Sequence, residues 1–241
     1  MIALEQLPTV DGARLPWIST SDMVEIDRIM IEELHIGLIQ MMENAGRHLA
    51  EVVRLTSSDG PVMVAAGSGG NGGGGLVAAR HLANQGRAVR VLLTSAPDRF
   101  GPVPARQLDI VRRMAVPVVE DAGPARLREW LVPGAVLVDA MVGYSVDGGL
   151  RGVPAAVAAH VDPEVTVVSL DAPSGVDTTT GADRGALRAD VTVTLCLPKQ
   201  GLRHSEAIGR LVLADISVPP SVTSAWGTPP PFADGPLLRV V

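Results

Sequence analysis

Five polar side chains stand at or just beyond the ends of apolar segments, and their types suit acid–base and cation chemistry. They are Asn71, Asp139, Asp171, Ser174 and Lys199. A carboxylate that follows a buried segment is costly unless it is paired, hydrogen-bonded or bound to a cation. Each aspartate therefore needs a partner, which can be a structural donor or a ligand.

The oxygen atoms of this set favour a hard cation. Asn71, Asp139 and Ser174 together offer one carboxylate, one amide and one hydroxyl. That is too little negative charge for a tight divalent site, so we expect a monovalent ion such as potassium. In the structural alternative, Asp139 accepts hydrogen bonds from nearby backbone amides and Asn71 caps the helix that follows it.

Lys199 follows another apolar run, in the segment LPKQGL. If its side chain points toward the other polar residues, it can hold a phosphate or take part in proton transfer. The alternative is an exposed lysine in a loop.

A run of glycines joins an apolar segment to a helical one over residues 65–80, which read AAGSGGNGGGGLVAAR. The run contains G-x-G-x-x-G, but the acidic residue that a dinucleotide-binding turn requires at the end of the next strand is absent. A P-loop is excluded because no Gly-Lys-Ser/Thr follows. Glycines at a helix N-terminus still allow backbone N–H groups to approach an anion. We therefore expect a ligand-binding loop, with a tight structural turn as the alternative.

Apolar strands alternate with amphipathic helices along most of the chain. Strands are predicted at 61–67, 88–95, 116–120, 135–144, 166–177, 189–198 and 210–217. Helices are predicted at 19–55 (divided at Gly37), 75–86, 105–115, 125–131 and 153–161. This alternation predicts an α/β fold with a parallel sheet covered on both faces. Ligands bind beyond the carboxyl ends of such strands, where the polar side chains fall. Residues 1–18 read as an extended lead-in, and the Pro-rich tail from 218 as a surface segment.

Composition limits the classes of function. The 241 residues are 46% hydrophobic and 19% charged, with a net charge of −6 and no basic run. We therefore expect no nucleic-acid binding. We expect no membrane segment and no signal peptide, and the single cysteine, Cys196, fits a cytoplasmic protein. The five histidines lie at no metal-ligand spacing and read as surface or packing residues.

Five motifs in order resemble the NAD(P)H-hydrate epimerase family, also called the YjeF N-terminal domain, from about residue 19 to about residue 219. They are GLIQMMENAGRHLA, GSGGNGGGGLVAARHL, LVDAMVGYSVDGGLRG, VVSLDAPSGVDTTTG and ADVTVTLCLPKQGL. The resemblance implies a three-layer αβα sandwich with a Rossmann-like, mostly parallel sheet. It implies a single domain over 1–241, with a core at about 19–219 and a tail at 220–241.

The resemblance also implies an activity, the interconversion of the R and S forms of hydrated NADH and NADPH without a redox cofactor. Catalysis is expected from Asp171 and Lys199, and a potassium ion is expected at Asn71, Asp139 and Ser174. A homodimer and a separately encoded dehydratase are the expected partners. The expected substrate-binding residues are Gly70, Asn71, Gly72, Gly73, Gly74, Gly143, Tyr144, Ser145, Val146, Asp147, Gly148, Gly149 and Asp171.

Two loops depart from the family pattern. Gly70 and Gly74 replace an Asn and an Asp of N-N-G-G-D-G, and Tyr144 stands in a G-T-G position usually filled by a small residue. Two alternatives therefore remain open at this point. One is an enzyme of the same fold with another small-molecule substrate, and the other is a non-catalytic binding or interaction module.

Overall fold

The computed structural model describes residues 4–120, 123–143 and 149–241. Within them, nine strands form one sheet in the order β1-β9-β8-β7-β6-β5-β2-β3-β4. All neighbouring pairs are parallel except β8 and β9. The strands are β1 (Thr9–Val10), β2 (Val62–Ala66), β3 (Val89–Leu93), β4 (Val118–Val119), β5 (Val136–Ala140), β6 (Thr166–Leu170), β7 (Val191–Leu195), β8 (Arg210–Ala214) and β9 (Leu237–Val240).

Helices cover both faces of the sheet. They are α1 (Thr20–Arg28), α2 (Leu38–Thr56), α3 (Gly70–Asn84), α4 (Pro102–Arg113), α5 (Pro124–Trp130), α6 (Gly152–His160) and α7 (Pro220–Thr223). A π-helical turn, Ile29–Glu33, continues α1, and short 3-10 turns lie at Leu4–Gln6, Gly12–Arg14, Pro97–Arg99, Gln200–His204 and Phe232–Asp234. Ser19 begins α1 with a capping box, because its side chain accepts from Asp22 N while Asp22 accepts from Ser19 N.

Alternating residues of the central strands pack into two apolar cores, one on each face of the sheet. Val62, Val64 and Ala66 of β2 pack with α2, α3 and α4, whereas Met63 and Ala65 pack with α5 and α6. Because successive strand residues point to opposite faces, this alternation gives three layers, helix, sheet and helix. The predicted α/β fold with a covered, mostly parallel sheet is confirmed.

The strand order reverses between β2 and β5. From β2 the chain continues to β3 and β4 on one side, and then returns to place β5 on the other side. The loops that follow β2 and β5 therefore diverge and leave a crevice at their carboxyl ends. The two strands stay paired up to this point, since Gly67 N donates to Ala140 O at 3.0 Å.

Three local predictions were wrong. The lead-in and the tail each contribute a strand, because β9 pairs with β8 and with β1. Helix α3 begins at Gly70, inside the glycine run that we predicted as a loop. The predictions failed because long-range packing, which local sequence patterns do not encode, decides all three.

No helix in the described parts of the chain is long and apolar enough to cross a membrane. The same residues contain no group of three His, Cys, Asp or Glu side chains that could hold a metal. His48 is buried in α2, where burial lowers its pKa to about 4. His81 instead lies 2.9 Å from Glu43 across the α2–α3 contact.

Candidate active site

A cavity of about 560 Å³ opens at the carboxyl ends of the central strands. Its sheet side consists of the ends of β6 and β7, with Leu170, Asp171, Leu195 and Lys199. The glycine run and the loop after β5 form a second wall, and helices α1 and α2 form the third. The volume is in the usual range for small-molecule sites.

Asp171 and Lys199 form a buried ion pair at the base of this cavity. Lys199 is 0% exposed and Asp171 is 4% exposed. The Lys199 Nζ atom donates to Asp171 Oδ1, and also to the carbonyl oxygen of Leu195 at 3.0 Å. An ammonium so deeply buried requires such partners, since an unpaired buried charge is strongly unfavourable.

The segment around Lys199 is held by the N-terminal residues. Ile18 N donates to Pro198 O at 2.9 Å, and Gln200 N donates to Ile18 O at 2.8 Å. These two bonds form a one-residue parallel bridge between Ile18 and Lys199. The backbone of Lys199 is therefore fixed on both sides, which limits where its side chain can reach.

Two neighbouring strands end in the same unusual backbone geometry. Asp171 has φ 65° and Cys196 has φ 63°, values that are rare for residues other than glycine. In each case the next residue donates back to the residue before, in a tight three-residue turn, at 2.8 Å after Asp171 and 2.7 Å after Cys196. Strained positions of this kind concentrate at functional sites. Burial raises the pKa of the Cys196 thiol to about 12, which disfavours the reactive thiolate.

Asp139 lies beneath the cavity and is fully buried. Its Oδ1 accepts from Ser174 Oγ at 2.5 Å and from Met141 N at 3.3 Å. Its Oδ2 accepts from Ser169 Oγ at 2.9 Å and from Ser174 N at 2.7 Å. Burial raises the pKa of this carboxyl above its usual range, and the four hydrogen bonds oppose that rise. The network ties the end of β5 to the turn after β6.

Asn71 lies in the first turn of α3 and lines the cavity. Its Nδ2 atom is buried and has no hydrogen-bond partner within the described chain. Gly143, in the loop after β5, is so close that a Cβ there would lie 3.3 Å from the Asn71 Cβ. A buried amide without a partner is costly and marks a position where a ligand atom can bind.

The glycine run divides into an open part and a packed part. Gly69 and Gly70 line the cavity, and a Cβ at either would meet nothing within 4 Å. Gly72, Gly73 and Gly74 are buried and are not among the cavity-lining residues. Added Cβ atoms would lie 1.7 Å from Gly67 O, 2.5 Å from Met42 Sδ and 2.7 Å from Leu170 Cδ2 respectively. Close packing of α3 therefore accounts for these glycines, and substrate binding by them remains a prediction.

This division predicts opposite outcomes for two alanine substitutions. Gly72→Ala should lower the free energy of unfolding by about 3 kcal/mol or more, because a backbone carbonyl occupies the Cβ position. Gly70→Ala should leave stability unchanged or slightly higher, since alanine favours helix more than glycine does. Urea unfolding followed by circular dichroism measures both. Equal stability of the two variants would contradict the packed assignment of Gly72.

The substrate-binding segment predicted over 143–149 is described only at its ends. Gly143 lines the cavity, and Gly149 has φ 81°, a conformation that favours glycine. Tyr144, Ser145, Val146, Asp147 and Gly148 lie outside the described residues.

Sequence reasoning missed the helical wall of the cavity. Met23, Asp27 and Ile31 all line it, and Ser95 lies at the end of β3. The spacing of four residues places the first three on one side of α1 and its π-helical continuation. That spacing was visible in the sequence, but nothing local indicated that this side faces a cavity instead of the core.

Comparison with known proteins places this arrangement in a family. The family model described as YjeF-related protein N-terminus matches residues 38–201. The chain belongs to this family. The match includes the glycine run, both aspartates at the strand ends and Lys199, whereas α1 and the strands β1, β8 and β9 lie outside it.

Relatives of this YjeF-related chain cover most of its length. A protein of Dehalogenimonas lykanthroporepellens named NAD(P)H-hydrate epimerase is 38% identical, with 96% of each chain covered. A bifunctional NAD(P)H-hydrate repair enzyme of Salinibacter ruber is 34% identical over 86% of this chain but only 42% of its own length. The chain thus spans about two fifths of that bifunctional relative. The crystal structure of the yeast protein YNL200c matches with a TM-score of 0.83 and 26% identity, covering 94% of this chain and 100% of the yeast chain.

Proposed function

We propose that this chain is an NAD(P)H-hydrate epimerase, which interconverts the R and S forms of hydrated NADH and NADPH. The observation that carries the proposal is the buried Asp171–Lys199 pair at the base of a ligand-sized cavity. The relative that bears this name supports it, since the two chains align over almost their whole lengths. The same evidence disfavours a different substrate or a non-catalytic module.

The chemistry requires the movement of protons and stabilisation of a cation. The hydrate carries a hydroxyl on a ring carbon next to nitrogen. Protonation of that hydroxyl lets the C–O bond break and water depart, while the nitrogen lone pair forms an iminium. Water then adds to the other face of the same carbon and loses a proton. Atoms balance without a change of oxidation state, so no redox cofactor is required.

Asp171 and Lys199 supply the acid–base function on the sheet side of the cavity. The ammonium of Lys199 holds a proton next to the Asp171 carboxylate, and that carboxylate can pass it to the departing hydroxyl. The same carboxylate stabilises the iminium in a site from which much water is excluded. The backbone turn at Asp171 fixes the position of the carboxylate relative to the cavity.

The buried Asn71 amide, whose nitrogen has no partner within the described residues, supports the predicted potassium ion. Asn71, Asp139 and Ser174 would hold it, and the unpartnered Asn71 amide could turn its oxygen toward the ion. A single carboxylate suits a monovalent charge. When bound, the ion would supply a fixed positive charge beside the phosphate-binding loops.

The remaining parts of the proposal concern the substrate's phosphates and the cellular setting. Gly70 to Gly74 line the pyrophosphate or the ring of the hydrate, with Gly70 at the end of the run that is open to the cavity, and Gly143 to Gly149 form a second phosphate-binding loop. The whole chain, residues 1–241, acts as one domain and as a homodimer in the cytoplasm. A separately encoded dehydratase consumes the S form, and the relatives named bifunctional NAD(P)H-hydrate repair enzymes are consistent with a second activity in the same repair.

The direct test is an epimerisation assay. Purified protein is added to R-hydrated NADH together with an S-specific dehydratase, with and without potassium. We expect the R form to disappear well above its spontaneous rate, and faster with potassium than with sodium. No acceleration by folded protein at high concentration would overturn the proposed function, and equal rates in both salts would overturn the potassium assignment.

A further inference from the structure

The helical wall of the cavity carries one ionisable side chain, Asp27. Among the described lining residues, the others that ionise are Asp171 and Lys199 on the sheet side. Asp27 lies one helical turn after Met23 and one before Ile31, and both of these also line the cavity. The side of α1 that carries Asp27 therefore faces the cavity, and not solvent alone.

Two different elements each bring a carboxylate to the same cavity. Asp171 belongs to the end of β6, in the sheet layer, whereas Asp27 belongs to a helix that packs over the end of β7. Ile26 and Met30 of the same helical segment share an apolar cluster with Cys196, so Asp27 lies near this end of the sheet. The formal charges of Asp171 and Lys199 offset each other, so the described lining residues, with Asp27, sum to a formal charge of −1.

The proposed reaction requires groups on two faces of one ring. The hydroxyl leaves from one face of the reacting carbon, and the incoming water attaches to the opposite face. Asp171 and Lys199 stand together on the sheet side, so a ring lying against them presents only one face to that pair. A second proton acceptor is needed across the cavity unless the ring turns over within it.

We propose that Asp27 is a second catalytic carboxylate, which serves the ring face opposite Asp171 and Lys199. This inference rests on the proposed function. In one direction of the reaction, for example R to S, the Asp171–Lys199 pair gives a proton to the departing hydroxyl. Water forms the new C–O bond on the other face and passes its proton to Asp27. In the reverse direction Asp27 returns a proton to the departing hydroxyl, and exchange with solvent restores the starting protonation.

The first test compares two isosteric substitutions on the same helix. Asp27→Asn should lower kcat for epimerisation by about 100-fold and remove one limb of its pH profile, with little change in KM. Glu25→Gln is the matched control, because Glu25 lies on α1 but pairs with Arg28 at 2.7 Å and does not line the cavity. The control should retain the wild-type rate within about twofold.

The second test does not depend on turnover. NAD⁺ carries a positively charged ring that resembles the iminium, whereas the ring of NADH is neutral. Asp27→Asn should weaken the binding of NAD⁺ by about tenfold and leave that of NADH unchanged, as measured by calorimetry. A purely structural role for Asp27 would weaken both equally.

The outcomes separate this inference from the function on which it rests. If the wild-type protein epimerises the hydrate and the Asp27→Asn variant has the same rate and pH profile, the proposed role of Asp27 is overturned but the proposed function is not. A slow variant with an unchanged pH profile and equal losses for NAD⁺ and NADH would overturn that role too. Inactive wild-type protein would overturn the proposed function, and the inference with it.

Discussion

Asp171→Asn is expected to lower kcat for epimerisation by at least about 100-fold, the usual contribution of a positioned acid or base. The amide has nearly the same shape but can neither carry a proton to the hydroxyl nor offset the Lys199 charge. KM should change less, because most of the cavity wall is unaltered. The measurement is the coupled assay with R-hydrated NADH at saturating dehydratase.

Asp162→Asn is the matched control for this substitution. Asp162 precedes β6, so it lies at the opposite end of the same strand from Asp171, and its side chain accepts from Glu164 N at 2.9 Å. Thermal unfolding of both variants is measured in parallel, because Asp171→Asn also removes a partner of a buried ammonium. Full activity in a folded Asp171→Asn protein would exclude Asp171 as the acid–base residue.

The second large effect is on stability, at Asp139. We expect Asp139→Asn to lower the free energy of unfolding by about 2–4 kcal/mol, since buried donors lose their acceptor. One oxygen of Asp139 accepts from Met141 N and the other from Ser174 N. Either orientation of the new amide therefore sets its NH₂ group against a backbone N–H that cannot turn away.

Ser169→Ala provides the comparison for Asp139→Asn. It removes one donor from the network but leaves Asp139 with three, so a loss of about 1 kcal/mol is expected. Urea denaturation of both variants gives the two values. Similar losses of unfolding free energy in the two variants would contradict the argument that the backbone donors make Asp139→Asn the more destabilising change.

Much of this architecture could be predicted from local sequence patterns. Apolar runs marked the seven strands from β2 to β8, and the polar residues that follow them marked the sheet end where ligands bind. Parallel strands bring such residues together without any knowledge of the loops between them. That is why Asp171 and Lys199, 28 positions apart, could be assigned to one site.

Other features depend on contacts that no local pattern records. The glycine run looked like a loop, because four glycines disfavour a helix. It is helical because α3 packs so closely on α2 that a Cβ at Gly46 would lie 2.5 Å from Gly74 O. Asp27 was missed for a similar reason, since amphipathic spacing does not distinguish a side facing a cavity from one facing solvent.

The pairing of the chain's first and last strands bears on how the protein avoids aggregation. Strand β9 covers β8, whose Leu211, Val212 and Leu213 are buried. Beyond β9 only the two-residue β1 is exposed to further pairing, and very short strands are poor templates for other molecules. Because Thr9 pairs with Arg239, this edge of the sheet is complete only after both β1 and β9 have folded onto it. Until β9 pairs with it, β8 presents a five-residue edge, apolar from Leu211 to Ala214, for intermolecular association.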